Sequence, residues 1–239
     1  MSPRLYRILQ SLMLVGLGAF LAVKIVSGSL TLYINQRFVT LTSVGVLLLT
    51  IMVLALLKRI YDDHTNSEHI HAAPEGLALL LIPVLMGVLL PARPLDAAAV
   101  ASKGITVNAP LISAYADGAQ FEAASTQRNI LDWIRIISYE SDLSPYLGQQ
   151  AKVTGFVYYP DGLPQGQFFI SRFVVTCCAA DGFALGVPVE WNGQVFEEND
   201  WVIVEGPVQV TEWNGEKIPL IIAESVQLTD EPEQPYLIP

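Results

Sequence analysis

Cysteine is nearly missing from this chain: there are 2 among 239 residues, side by side at Cys177 and Cys178. No third cysteine exists to pair with either. Bridging the two would need a Cα separation of about 3.8 Å or less, below the ordinary disulfide range of about 4.4–6.8 Å. Histidine is as scarce, with 3 copies, at His64, His69 and His71. The C-terminal half therefore has no imidazole to act as base for a nucleophile, and no such constellation supports hydrolysis. Charge is thin as well, at 15% of residues against 52% hydrophobic, where a soluble domain carries about 25% charged residues. Neither a phosphate-binding glycine loop nor a dinucleotide fingerprint occurs, which disfavours energy coupling by this chain.

What is present divides the chain in two. Residues 5–26, 38–57 and 77–95 are apolar runs with very few charges, each near the ~20 residues that cross a bilayer as a helix. The second run, between Arg37 and Lys58-Arg59, is the cleanest. The third is short and carries Pro83 in its middle, which fits a kinked or re-entrant segment. Lys24 ends the first run, where its stem can snorkel to the interface, and Gly16 and Gly18 suit close helix contact. Residues 1–103 carry a net charge of +3 and residues 104–239 one of −13, together the −10 of the whole chain. The sequence thus predicts a transmembrane domain over 1–95, a linker with a first strand over 96–124, and a soluble acidic domain over 125–239.

Basic residues near the span ends set orientation. An N-terminus inside places Arg4, Arg7, Lys58 and Arg59 in the cytoplasm and Arg37, Arg93 and Lys103 outside, so three spans put the acidic domain outside the bilayer. No small-residue cleavage site follows Val26 that would make the first run a signal peptide. "DAAAVASKG", after the third run, has that small-residue character, but two spans would have to precede the cut. Between the second and third runs lies "RIYDDHTNSEHIHAAPEG", which holds every histidine beside Asp62, Asp63 and Glu68. Imidazoles and carboxylates are zinc-type ligands, yet no helical His-x-x-x-His spacing or cysteine partner fixes a geometry. A solvated polar connector and a loose metal site both fit His64, His69 and His71.

The acidic half reads as mainly β with one helix, an α+β arrangement. "STQRNILDWIRIISYESD" has Ile130, Leu131, Ile134 and Ile137 on a helical period, with Ser125 or Thr126 as N-cap. Strand-like stretches follow over 149–160, 166–178, 183–191, 200–213 and 217–229, preceded by a short one at 104–110. Asp-Gly or Asn-Gly at 161–162, 181–182, 192–193 and 214–215 marks hairpin turns. Five strands with "VTGFV" and "VEGPV" starts suggest a small closed barrel of the oligonucleotide/oligosaccharide-binding (OB) type. That class often binds nucleic acid, but a charge of −13 offers no basic groove for a phosphate backbone. Tyr158, Tyr159, Trp191 and Trp213 are then turn and barrel-end packing rather than base-stacking platforms.

The adjacent cysteines stand at the end of one predicted strand. On a regular strand their side chains point to opposite faces. Only a turn or bulge in "CCAADG" aims both at one ligand, and its small and turn-forming residues permit that curl. Three readings compete: a soft-metal site for a divalent ion such as zinc, with Asp181 or an external ligand completing two thiolates; a redox pair; or a structural role with one buried and one edge cysteine. Arg172, five residues back, lowers a thiol pKa if the fold brings it near.

"LYINQRF" before the second span, the histidine-bearing loop, and above all "FFISRFVVTCCAADGFALGV" resemble the YcgQ-like permease-subunit family of bacteria. "PYLGQQAKVTGFVYY", "DWVIVEGPVQV" and "IPLIIAESVQL" fit it too, so the resemblance spans nearly the whole chain. Its most specific part is R-F-x-x-x-C-C-x-A-D, met position by position by Arg172, Phe173, Cys177, Cys178, Ala180 and Asp181. The histidine loop matches only in character. The resemblance implies a small multi-pass protein of the bacterial inner membrane with a C-terminal β-rich domain. It further implies a non-enzymatic accessory subunit acting with a larger multi-span permease of the YcgR type, its domain presenting or binding a ligand near the pore. The competing class is a membrane-anchored thiol oxidoreductase or metal chaperone built on Cys177 and Cys178.

Overall fold

The structure is a computed structural model and describes residues 3–62, 82, 84–90, 92–107 and 124–238. The chain forms two compact units, Met1–Arg93 and Pro94–Pro239.

In the first unit the uninterrupted apolar runs become two 24-residue helices, α1 (Pro3–Val26) and α2 (Val39–Asp62). Two stretches, Ile8–Val26 in α1 and Gln36–Tyr61 running from the turn before α2 into it, are long and apolar enough to cross a membrane. Gly28, at φ 72°, starts the short turn of 3-10 helix at Ser29–Leu32. The Asn35 side chain then accepts the Arg37 N–H at 3.0 Å and caps the turn leading into α2. Leu14 and Val53 are buried, while Leu12, Val15, Leu41 and Leu48 stay exposed. The Lys24 ammonium lies over the Phe20 and Tyr33 rings, 5.6 and 5.5 Å from their centroids. Lys24 is thus held by aromatic faces at the end of its helix.

Of the three expected spans, two are therefore helices of spanning length. Residues 77–81, 83 and 91 of the third lie outside the described residues, and its described part includes a helical stretch at 84–89. Gly87 in that stretch packs on α1: a Cβ there would meet the Phe20 ring at 2.3 Å.

Among the described residues the second unit is a seven-stranded mixed sheet with two short α-helices. It begins before the expected boundary. Asp96 caps α3 (Ala97–Lys103) by accepting the N–H groups of Ala98 and Ala99. The Leu95 N–H donates to the Tyr236 hydroxyl at 3.1 Å, and the Ala97 N–H to Asn199 Oδ1 at 2.7 Å. Residues expected as linker are thus stapled onto the domain. The strands are β1 (Ile105–Thr106), β2 (Gln150–Tyr158), β3 (Gln167–Val174), β4 (Phe183–Glu190), β5 (Trp201–Trp213), β6 (Glu216–Ile222) and β7 (Ser225–Leu228). Antiparallel pairs run from β2 through β3 to β4 and from β2 through β5 to β6. β4 and β6 then meet in parallel at Val189↔Ile221 and Glu190↔Ile222. β1 adds in parallel to β4, and β7 antiparallel to β5.

Local chemistry explains where this departs from the sequence reading. The helix α4 (Ile130–Tyr139) starts later than expected, because Asn129 rather than Ser125 or Thr126 is its cap. Asn129 accepts the N–H groups of Leu131 and Asp132, and Asp132 answers by accepting the Asn129 N–H, a reciprocal capping box. Residues 217–229 are two strands rather than one, broken at Ala223–Glu224, whose N–H groups turn to the carbonyls of Glu190 and Glu205. Asn214 and Gly215, at φ 52° and 83°, make the tight hairpin between β5 and β6, as their type predicts. Asn192-Gly193 makes none, since β4 and β5, the strands it joins, are not neighbours. β3 is buried on both faces. One face meets the main core under α4, with Val157, Ile170 and Val174; the other carries Phe156, Phe173, Ala97 and Val100.

Candidate functional site

β3 carries the chain to its two cysteines. Its last residues are sealed by the C-terminal tail, for Val175 N–H donates to the Leu237 carbonyl and Leu237 N–H to that of Phe173. Beyond Val174 the strand ends, and Ala179–Asp181 forms one turn of 3-10 helix with extended Cys178 before it. Two small alanines allow that winding, and the Asp181 and Gly182 N–H groups close it onto the carbonyls of Cys178 and Ala179.

The turn folds the Asp181 carboxylate back over the cysteines. It accepts the Cys177 N–H at 2.8 Å and those of Thr176 and Cys178 at 3.3 Å. Cys178 Sγ in return accepts the Asp181 N–H. The curl defeats strand alternation: the two sulfurs lie on one side, 3.7 Å apart, as free thiols. Cys177 is exposed and Cys178 half-buried. Among the described residues, Cys177, Cys178 and Asp181 form the group of metal-ligating side chains, with ligand atoms within 4.8 Å of one another.

The two thiols differ electronically. The Cys177 thiol donates to the Asp181 carboxylate and faces Cys178, so its pKa is pushed up to about 11. Cys178 moves the other way, because its sulfur accepts the Ala180 N–H, then the Cys177 thiol, then the Asp181 N–H, all favouring thiolate. Burial works against the Asp181 charge, but the hydrogen bonds from the Cys177 thiol and from three backbone N–H groups hold its pKa below the ordinary carboxylate value.

A residue outside the motif holds this turn from behind. The Lys103 ammonium, at the end of α3, donates to the carbonyls of Gly182 at 2.8 Å, Ala180 at 3.2 Å and Ala179 at 3.4 Å. Sequence reasoning weighed Lys103 only as a charge near a span. Nothing local links it to a turn 76 residues on.

The remaining motif residues serve the scaffold. The Arg172 guanidinium donates to the carbonyls of Gln234 and Pro235 and lies over the Trp201 ring, so it is committed to the tail instead of to the thiols. Phe173 is buried and stacks on Phe156, with 6.0 Å between centroids. Ala180 is exposed and supplies the backbone groups already named. Tyr159 donates to the Phe196 carbonyl, Trp191 to that of Gln194, and Trp213 packs edge-on against Phe169. His64, His69 and His71 lie outside the described residues.

Comparison with known proteins places this arrangement in a family. The C-terminal model of the DUF1980 family matches residues 117–239 and the N-terminal model residues 9–106. The chain belongs to the DUF1980 family. A Streptococcus mutans protein, provisionally named a two-component membrane permease complex subunit, is 24% identical over 253 residues, covering 88% of this chain and 92% of that protein. The UPF0703 protein YcgQ of Bacillus subtilis is 21% identical over 260 residues, covering 81% and 90%. The family resemblance seen in the motifs is therefore real. No solved structure matches.

Proposed function

We propose that this chain is the accessory subunit of a two-component membrane permease. The observation that carries the reading is the end-to-end likeness to a relative named as such a subunit. The helices agree with it. Between Arg7 and Lys24, and between Arg37 and Lys58, no ionisable residue occurs. Intramembrane charges mark ion and substrate paths, so these two spans offer no path of their own. They do offer surface: a Cβ built on Gly16, Gly18 or Gly45 would touch nothing within 4 Å, which leaves room for close approach by a partner's helix.

The finer features follow from the same reading. The third apolar run completes a third crossing that ends before Leu95 joins the β domain, supported by the seat of Gly87 on Phe20. Arg4, Arg7, Lys58 and Arg59 hold the N-terminus in the cytoplasm, and the acidic domain stands outside. That domain is a small barrel of the OB type, supported by strand pairings that leave β4 through β3, β2, β5 and β6 and return to β4.

Co-purification tests the partnership. The tagged chain, extracted from its native membrane in mild detergent, is expected to bring with it a multi-span permease of the YcgR type. A chain that elutes alone, or that transports unaided in vesicles, overturns the proposal. Orientation is read with the native exposed thiol: an impermeant maleimide should label Cys177 in intact cells, and labelling only after lysis reverses the topology.

A further inference from the structure

We infer that Cys177, Cys178 and Asp181 form an exchangeable binding site for a borderline-soft divalent cation of the zinc class. The inference rests on the geometry of one turn and stands apart from the proposed partnership.

The fold has no packing use for the two thiols. Neither cysteine belongs to any of the buried clusters, and Cys177 is exposed. Yet the backbone is bent to bring them together. Two thiolates on a tetrahedral zinc, at Zn–S of about 2.3 Å, lie about 3.8 Å from each other. Here the sulfurs are 3.7 Å apart before any ion arrives. The third ligand is close: zinc with one sulfur and one carboxylate oxygen sets them about 3.6 Å apart, and the Asp181 oxygen already lies within 4.8 Å of both sulfurs. A side-chain adjustment of about 1 Å completes the set. Asp181 Oδ2 accepts one backbone N–H, that of Cys177, and each carboxylate oxygen has two lone pairs. The Cys177 thiol donates to Cys178 Sγ. The cation takes the place of that proton, and the displaced protons leave to solvent.

Charge and rigidity point the same way. Two thiolates and a carboxylate sum to −3, and a divalent cation leaves −1. The Lys103 ammonium, bound to three carbonyls of the same turn, adds one positive charge to that loop. The same bonds fix the loop, so little ordering is left for the ion to impose. The donor set selects the class, since magnesium and calcium take oxygen ligands whereas thiolates favour zinc and its softer neighbours. Three protein ligands leave the fourth position open, as in zinc sites that exchange their last ligand. An exposed, three-ligand site suits an ion that must be handed on.

The test uses the reduced, chelator-stripped full chain in detergent, titrated with cobalt(II) and then zinc. A thiolate-to-cobalt charge-transfer band should grow, saturate at a single ion per chain, and vanish as zinc displaces cobalt. Cys177→Ser and Cys178→Ser should each abolish it. Asp181→Asn should keep a band while weakening binding by at least the 10–100-fold typical of a lost supporting partner, as an order of magnitude. Replacing His64, His69 and His71 by alanine should change nothing. Wild-type chain with both thiols blocked by methylthiolation controls for folding and should give no band. The inference is overturned if the wild type gives no band, if the band survives thiol blocking, or if it disappears with the histidines. The doubly substituted Cys→Ser chain should still bring down its membrane partner, so the two proposals fail separately.

Discussion

Leu12 on α1 and Phe169 on β3 are both large apolar residues, yet Leu12 is 69% exposed and Phe169 fully buried. The contrast runs through the whole chain. In the first unit the apolar side chains of α1 and α2 mostly point outward, with Leu14 and Val53 among the few that are covered. In the second, Val157, Ile170, Val174 and Leu185 close over one another under α4. One residue type thus answers to two solvents. The β domain hides its apolar area within itself, as water requires. The helices leave theirs for hydrocarbon or a partner, and satisfy their backbone groups internally, as a bilayer requires.

The contrast is broken most sharply in the core. Phe169→Ala removes a ring that packs with Val107 and Ile218 and meets Trp213 edge-on at 5.2 Å. It should cost about 3–5 kcal/mol, seen as a large drop in the thermal midpoint of the domain. Leu12→Ala, equally apolar but outward-facing, should leave that midpoint within about 0.5 kcal/mol. Equal losses at the two sites would show that α1 is packed like a core helix and would remove the membrane reading.

The next test compares two exposed residues. Leu47 in α2 is 58% exposed and Val195 in the second unit 89% exposed. In water alone, an Asp at either is harmless. If α2 lies in a bilayer, Leu47→Asp should cost about 2.5–3.5 kcal/mol of insertion free energy, shifting the chain out of the carbonate-resistant membrane fraction. Val195→Asp should leave fractionation unchanged. Unchanged fractionation for both would put α2 outside the hydrocarbon.

The same comparison explains what could be read from the sequence. α1 and α2 were legible because a spanning helix is written in one continuous run. β5 was legible from alternation, β3 and β4 from short apolar runs between turn signals, and the β5–β6 hairpin from Asn214-Gly215, which takes the positive φ values that turn requires. Pairing between distant segments was not. The Ala97–Asn199 and Leu95–Tyr236 bonds span more than a hundred residues, and Arg172 is spoken for by a tail some sixty residues away. The candidate site was half legible. Cys177, Cys178 and Asp181 stood out as chemistry on a turn, whereas Lys103 became part of it only once α3 lay against β4 and the turn before it. Local signals also misplaced the cap of α4, because Ser125, Thr126 and Asn129 are all good caps and only Asn129 has Asp132 three residues on.

Gly206 sharpens the difference between glycines in the two units. A Cβ on it would sit 2.1 Å from the Ile222 carbonyl oxygen and close to the backbone of Ala223. Backbone cannot rotate away as a side chain does, so Gly206→Ala should cost about 1–3 kcal/mol through forced strand displacement, measured by denaturant melting. Gly16→Ala in α1 meets nothing and replaces a poor helix former by the best one. It should stay neutral for folding and act, where a partner seats there, only on co-purification.

The smallest effect expected concerns hydroxyls, and it has the opposite sign. In α2, Ser43 donates to the Val39 carbonyl at 2.9 Å and Thr50 to that of Val46 at 2.8 Å. Each hydroxyl is satisfied one turn back along its own helix, which is what a residue in hydrocarbon must do. Ser171 in β3 is fully buried, and its hydroxyl meets no hydrogen-bonding partner among the described residues. On a strand no carbonyl of its own chain lies one turn behind, and the neighbouring carbonyls are engaged in the ladders with β2 and β4. A buried hydroxyl without a partner costs roughly 1–3 kcal/mol of desolvation, partly returned by the contacts its oxygen makes. Ser171→Ala should therefore stabilise the domain by up to about 1 kcal/mol, a rise of a few degrees in its melting midpoint. Ser43→Ala gives up a satisfied bond and should stay within about 0.5 kcal/mol. A fall in midpoint on Ser171→Ala would mean the hydroxyl is bonded in solution, and the two units would then treat their hydroxyls alike.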